Sequence, residues 1–226
     1  MRILDAPLSD KGCLNMSESL RLSQLVCSRL CHDLVGAAGA TNAGLEILAE
    51  IGEMDDSALE LATSSGHEMT RRLAFFRVAF GAGGAGNDGA EIPTLRKLAS
   101  DYLISGNVSL NWPETADEVA TIDPMFAKLL LNVILIAAEC LPRGGVVDVQ
   151  VVGMENGTGI AVSAEGTDAG LREDIAEAMT PGRAIEEISS RSIHAFVTQM
   201  LVLETGSELE VAVDNGTVRF AAVHQN

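Results

Sequence analysis

Helical periodicity runs for some sixty residues and then stops at a glycine-rich run from 81 to 89, a break that divides the chain into two kinds of structure. From residue 17 to about 53, apolar side chains recur at spacings of three and four through Val26, Leu30, Leu34, Ala37, Thr41, Leu45 and Leu48. That spacing lays one apolar stripe along a long amphipathic helix. Met54-Asp55-Asp56-Ser57 supplies a turn and a cap, and a second helical stripe runs from 58 to about 80 through Leu61, Met69, Leu73 and Phe76. A link this short folds the two helices back antiparallel.

Beyond the glycines the texture is mixed. Pro93 starts a helix to about 104, residues 108–112 alternate as a strand, and Pro124 opens a strongly apolar helix over 125–141. Two β-rich runs follow, 146–152 and 159–164, with a hairpin-like Glu155-Asn156-Gly157 between them. Helical stretches near 170–179 and 190–204 lead to a closing hairpin, 208–213 with 218–223, that turns at Asp214-Asn215-Gly216. The expected organisation is an α+β chain: an N-terminal tail (1–16), an antiparallel helical hairpin (17–82), a linker (83–91) and an α/β sandwich (92–226). A two-helix hairpin has too little partner surface to bury both stripes, so a homodimer forming a four-helix bundle is expected.

Charge and composition exclude several roles. Fifteen Lys plus Arg face 32 Asp plus Glu, a net charge of −17, and the resulting field repels nucleic-acid phosphates and anionic headgroups. No segment approaches the roughly 20 apolar residues that span a bilayer, so the protein is expected to be cytoplasmic, without nucleic-acid or membrane partners. The four cysteines include no C-x-x-C pair and read as reduced thiols. Cys27 and Cys31, one turn apart beside His32, suit a metal or redox site in principle, but small thiols more commonly fill helix interfaces.

On a helical wheel of about 100° per residue, His32 points away from the apolar stripe. Leu25, Ser28, Arg29, Gly36, Gly39 and Ala43 share its side. Glycine at 36, 39 and 44 gives up about 1 kcal/mol each relative to alanine, and something must offset or require that loss. Small residues beyond an exposed imidazole clear a landing surface on which another protein can present an aspartyl phosphate. Arg29 is placed to steady phosphoryl charge, and Asp33 to orient or deprotonate the ring. On residues alone, a surface histidine beside glycines that merely let helices pack is the more common case. His67, His194 and His224 carry no comparable pattern. Arg71, Arg72 and Arg77 make the second helix locally basic, and Trp112 reads as core.

The stretch CSRLCHDLVGAAGATNAGLEIL, residues 27–48, resembles the phosphoacceptor box of sensor histidine kinases and, more closely, that of ChpT-type histidine phosphotransferases. Its "CHDL" tetrapeptide, small-residue run and "N-x-GLE-x-L" continuation carry the likeness. The resemblance implies that the sandwich is a degenerate histidine-kinase ATPase-like domain. Where an active kinase holds a magnesium-binding Asn this chain has Ile136, and the usual Lys is Glu139. Ala164 stands for the adenine-reading Asp, and residues 189–196 lack the phosphate-cradling glycines.

The family further implies a multistep phosphorelay. His32 accepts a phosphoryl group from the receiver aspartate of a hybrid kinase of the CckA kind and donates it to response regulators such as CtrA and CpdR. Asp33 assists, and Leu25, Ser28, Arg29, Gly36 and Gly39 form the docking face. No cofactor or metal is bound by the chain itself, and Mg²⁺ comes with the receiver. Two alternatives remain open: a non-catalytic dimeric scaffold that binds receivers, and an active histidine kinase, which requires nucleotide affinity.

Overall fold

The structure, a computed structural model, describes residues 15–51, 55–81, 89–114 and 119–225. Two long helices lead. Helix α1 (Met16–Ile51) opens with a reciprocal cap in which the Asn15 amide donates to Glu18 at 2.7 Å and the Glu18 amide donates to the Asn15 side chain at 3.0 Å. Helix α2 (Asp56–Ala79) is capped by Asp55, whose carboxylate accepts from the Ser57 and Ala58 amides. The two helices pack against each other. At Gly44 the contact is so close that an added Cβ would lie 2.7 Å from the Ala58 carbonyl oxygen.

The remaining elements are β1 (Ala90–Glu91), α3 (Ile92–Leu103), β2 (Val108–Asn111), β3 (Thr121–Ile122), α4 (Pro124–Glu139), β4 (Gly145–Met154), β5 (Gly157–Glu165), α5 (Glu173–Ala178), a 3₁₀ turn (Ile185–Glu187), α6 (Ile193–Thr205), β6 (Glu208–Asp214) and β7 (Thr217–Gln225). Five strands form one sheet in the order β2-β4-β5-β7-β6, with β2 parallel to β4 and the other neighbours antiparallel. Its strands alternate. Val147, Val149 and Val151 of β4 face inward with Ile160, Val162 and Ala164 of β5 and Val218, Phe220 and Ala222 of β7. Helix α4 is apolar on all sides because it is covered on all sides, by the sheet, by α6 and by α2 and α3. This is the expected two-layer sandwich. The short β1–β3 pairing and the 3₁₀ turn carry no strong periodic signal and were absent from the expectation.

The hairpin does not swing free of the sandwich. Leu25, Phe75, Phe76, Val78 and Ala79 belong to the same buried cluster as Leu95, Ala99, Leu129 and Leu130. Tyr102 of α3 stacks on Phe75 at 4.3 Å, and the buried Asn132 of α4 donates to the Ala79 carbonyl at 3.0 Å. Apolar burial shared across α2, α3 and α4 holds the hairpin against the sandwich. The expected linker lies outside the described residues apart from 89–91, as does the tail apart from its last two residues.

The apolar stripes divide in two. Phe76 is buried, while Leu45, Leu61 and Leu73 stay exposed on the single chain, Leu45 by 53% and Leu73 by 49%.

Candidate functional site

The His32 side chain is 82% exposed. Beyond it along the helix, an added Cβ at Gly36 or Gly39 would meet no atom within 4 Å, so both positions lie open to solvent. Ser28 is exposed as well. Four of the sequence-derived residues therefore share one open strip.

Two do not. Leu25 is only 6% exposed and sits in the core. Besides α2, helix α6 and the 3₁₀ turn also pack against α1, which a helical wheel does not register. Arg29 is likewise turned inward. Its Nε donates to Asp33 Oδ2 at 2.6 Å, its Nη2 to Glu139 Oε1 at 2.5 Å and its Nη1 to the Arg191 carbonyl at 3.0 Å. Those carboxylates hold its guanidinium charged, against the opposing effect of burial. A guanidinium with three such contacts is a structural clamp, and it is not available to a docking phosphate as the sequence suggested.

Asp33 is tied from several directions. One carboxylate oxygen takes the Arg29 bond, the other lies 3.2 Å from His32 Nδ1, and Arg72 donates to its backbone carbonyl at 3.0 Å. The Tyr102 phenol is pushed up to about 12 by burial and then by the Asp33 charge. The division of labour leaves His32 Nε2 facing solvent, with Nδ1 held to a fixed acceptor.

Glu139 and His194 escaped the sequence reading. Burial pushes the Glu139 carboxyl up, but the approach of His194 and the charge of Arg29 outweigh it and hold the group down at about 2. Its second oxygen lies 3.4 Å from Nε2 of the fully buried His194 and 3.5 Å from Arg172. The available signal was the one acidic residue of α4, at its end. Ile136 and Ala164 are fully buried apolar residues. Arg191 and His194 both lie in the 189–196 segment where phosphate-binding glycines were sought.

The other sequence candidates sort plainly. Cys27 and Cys31 are exposed on the single chain and fill no helix interface within it. Cys140 is buried. Among the described residues no group of three or more His, Cys, Asp or Glu converges on a metal-sized site. His67 is exposed, Trp112 is core, and His224 stacks on Phe126. Arg72 pairs with Glu68 and Arg71 donates to Ser105, so both serve the chain's own packing. No helix among the described residues is long and apolar enough to cross a membrane.

Comparison with known proteins places this geometry in context. Residues 92–217 match the family model of the histidine phosphotransferase C-terminal domain. The protein phosphotransferase ChpT of Brucella abortus (strain 2308) is 31% identical over 206 residues, covering 90% of this chain and 96% of that one. A solved bacterial phosphotransferase superposes with a TM-score of 0.79 at 28% identity, covering 95% of this chain and 100% of that one. An exposed histidine on a helical hairpin, a sandwich matched by that family model and likeness along nearly the whole length agree: the chain belongs to the ChpT-type histidine phosphotransferases.

Proposed function

We propose that His32 is the phosphoacceptor of a multistep phosphorelay, taking the group from a receiver aspartate and passing it to another. One observation carries the reading. His32 presents Nε2 to solvent above the open positions Gly36 and Gly39, while Asp33 holds Nδ1. The Nε2 lone pair attacks the phosphorus of the aspartyl phosphate, the bond from phosphorus to the carboxylate oxygen breaks, and the aspartate leaves as a carboxylate. The ring keeps its Nδ1 proton and gains positive charge, which Asp33 offsets. Transfer to the second receiver is the same step reversed, so positioning is most of what the protein must supply.

The donor in this reading is the receiver of a CckA-like hybrid kinase and the acceptors are response regulators like CtrA and CpdR, each bringing its own Mg²⁺. Ser28, Gly36 and Gly39 form the docking strip. The chain works in the cytoplasm as a homodimer, its two hairpins joined through the apolar surface that includes Leu45, Leu61 and Leu73, which one chain leaves exposed. It takes no nucleotide. Ile136 and Ala164 offer no polar atom to one, and Glu139, where a cationic side chain would favour phosphate, brings a carboxylate engaged by Arg29.

Incubation with a phosphorylated hybrid-kinase receiver tests the proposal. Acid-labile label is expected on this protein and absent from His32→Ala; label that persists in that variant, or none on the wild type, refutes it.

A further inference from the structure

Between the exposed imidazole and the interior of the sandwich runs one uninterrupted series of polar contacts. His32 Nδ1 approaches Asp33 at 3.2 Å, Asp33 takes Arg29 Nε at 2.6 Å, Arg29 reaches Glu139 at 2.5 Å, and Glu139 faces His194 at 3.4 Å. The series begins at the surface and ends at a side chain with no exposure at all. His194 Nε2 faces Glu139 Oε2 at 3.4 Å without meeting hydrogen-bond geometry.

Stability alone is a poor reason for this arrangement. Burying an ion pair removes two charges from water, and well-packed apolar residues of equal volume commonly do as well or better. What the pair does supply is direction. Arg29 has a planar fork, and with Nη2 on Glu139 and Nη1 on the Arg191 carbonyl its plane is fixed with the Nε–H turned to Asp33. Asp33 Oδ2 is thereby fixed, and Oδ1 is left in the one orientation that meets His32 Nδ1. Free imidazole favours the proton on the other nitrogen, so an acceptor held at Nδ1 is what leaves Nε2 as the nucleophile.

Building on the phosphoacceptor reading of His32, we infer that Glu139 and His194 are positioning residues for phosphoryl transfer: through Arg29 they lock Asp33, and so give the sandwich control over the tautomer of the exposed histidine. The domain thus acts on the reaction from inside the fold, by holding α1, in place of delivering a nucleotide to it.

The test uses the full chain carrying Glu139→Gln, Arg29→Lys, Asp33→Asn and the Glu139→Gln/Asp33→Asn pair. Ring ¹⁵N spectra of His32, recorded without any partner, are expected to show the Nδ1–H form in the wild type and a move toward the Nε2–H form in Glu139→Gln and Arg29→Lys. Transfer from a phosphorylated receiver is expected to fall about tenfold at saturating receiver in Glu139→Gln, with KM unchanged, and the paired variant to be no slower than Asp33→Asn alone. A native ring spectrum in folded Glu139→Gln or Arg29→Lys overturns the inference, as do full additivity with Asp33→Asn and a loss confined to KM. If Glu139→Gln does not fold, Arg29→Lys, which keeps the charge and loses the fork, decides by the same readouts. The spectra need no phosphoryl donor, so failure of the relay reading, seen as label surviving His32→Ala, is distinguishable from failure of this coupling.

Discussion

Replacing Gly36 or Gly39 by alanine should make the protein more stable and less active. Both glycines lie inside α1, where alanine is favoured over glycine by about 1 kcal/mol per site. Neither new methyl would meet an atom within 4 Å, so nothing in the fold opposes that gain. For a chain of 226 residues about 1 kcal/mol corresponds to a rise in Tm of about 2 to 4 °C. Gly44 is the internal control. There the same change drives a Cβ to 2.7 Å from the Ala58 carbonyl and 2.9 Å from the Ala62 amide. Overpacking of about 1 to 3 kcal/mol then exceeds the helical gain, and Gly44→Ala should lower Tm. If the open strip is where receivers land, a methyl at 36 or 39 that costs about 1 kcal/mol of docking raises KM for the phosphorylated receiver about fivefold. Thermal melts and initial rates of label transfer, run on the same three variants, read both effects. Lower Tm at 36 or 39 refutes the claim that these sites are open. Raised Tm with an unchanged KM refutes the claim that their smallness serves docking.

Acid should weaken the Arg29–Glu139 clamp. The Glu139 carboxyl sits at about 2 when folded against an ordinary 4.5, so its contribution is complete above about 4.5 and drains away as pH falls toward about 2. That displacement sets a ceiling of about 3 kcal/mol, reduced by partial exposure, and chemical denaturation should show the wild-type advantage over Glu139→Gln shrinking by about 1 to 2 kcal/mol from pH 7 to pH 3. An advantage that holds or grows over that range contradicts the sign. Leu45→Glu combined with Leu73→Glu places charge on the exposed stripes without disturbing the folded chain, and light scattering should report half the wild-type mass. An unchanged mass, or a monomeric wild type, removes the proposed dimer surface.

Much of the fold could be read in advance because local rules govern it. Apolar spacing announced α1, α2 and α4, two-fold alternation announced β2, β-rich runs announced β4 and β5, and Asn215-Gly216 marked the last hairpin, where Gly216 takes a φ of 76°. The site was half legible for the same reason. His32 faces outward because it lies on the side of α1 opposite the apolar stripe of Leu30, Leu34 and Leu48, a fact contained in one helix.

The tertiary structure decided everything that depends on a second partner for that helix. A wheel cannot register that Leu25 is buried in the core, that Arg29 turns inward to a carboxylate 110 residues away, or that three glycines similar in sequence divide into two open positions and one tight contact. Glu139 and His194 looked like losses, judged against a nucleotide site. Their charges acquire meaning only where long-range packing sets them opposite Arg29, because a buried charge is defined by its partner, and partners far apart along the chain are chosen by the fold.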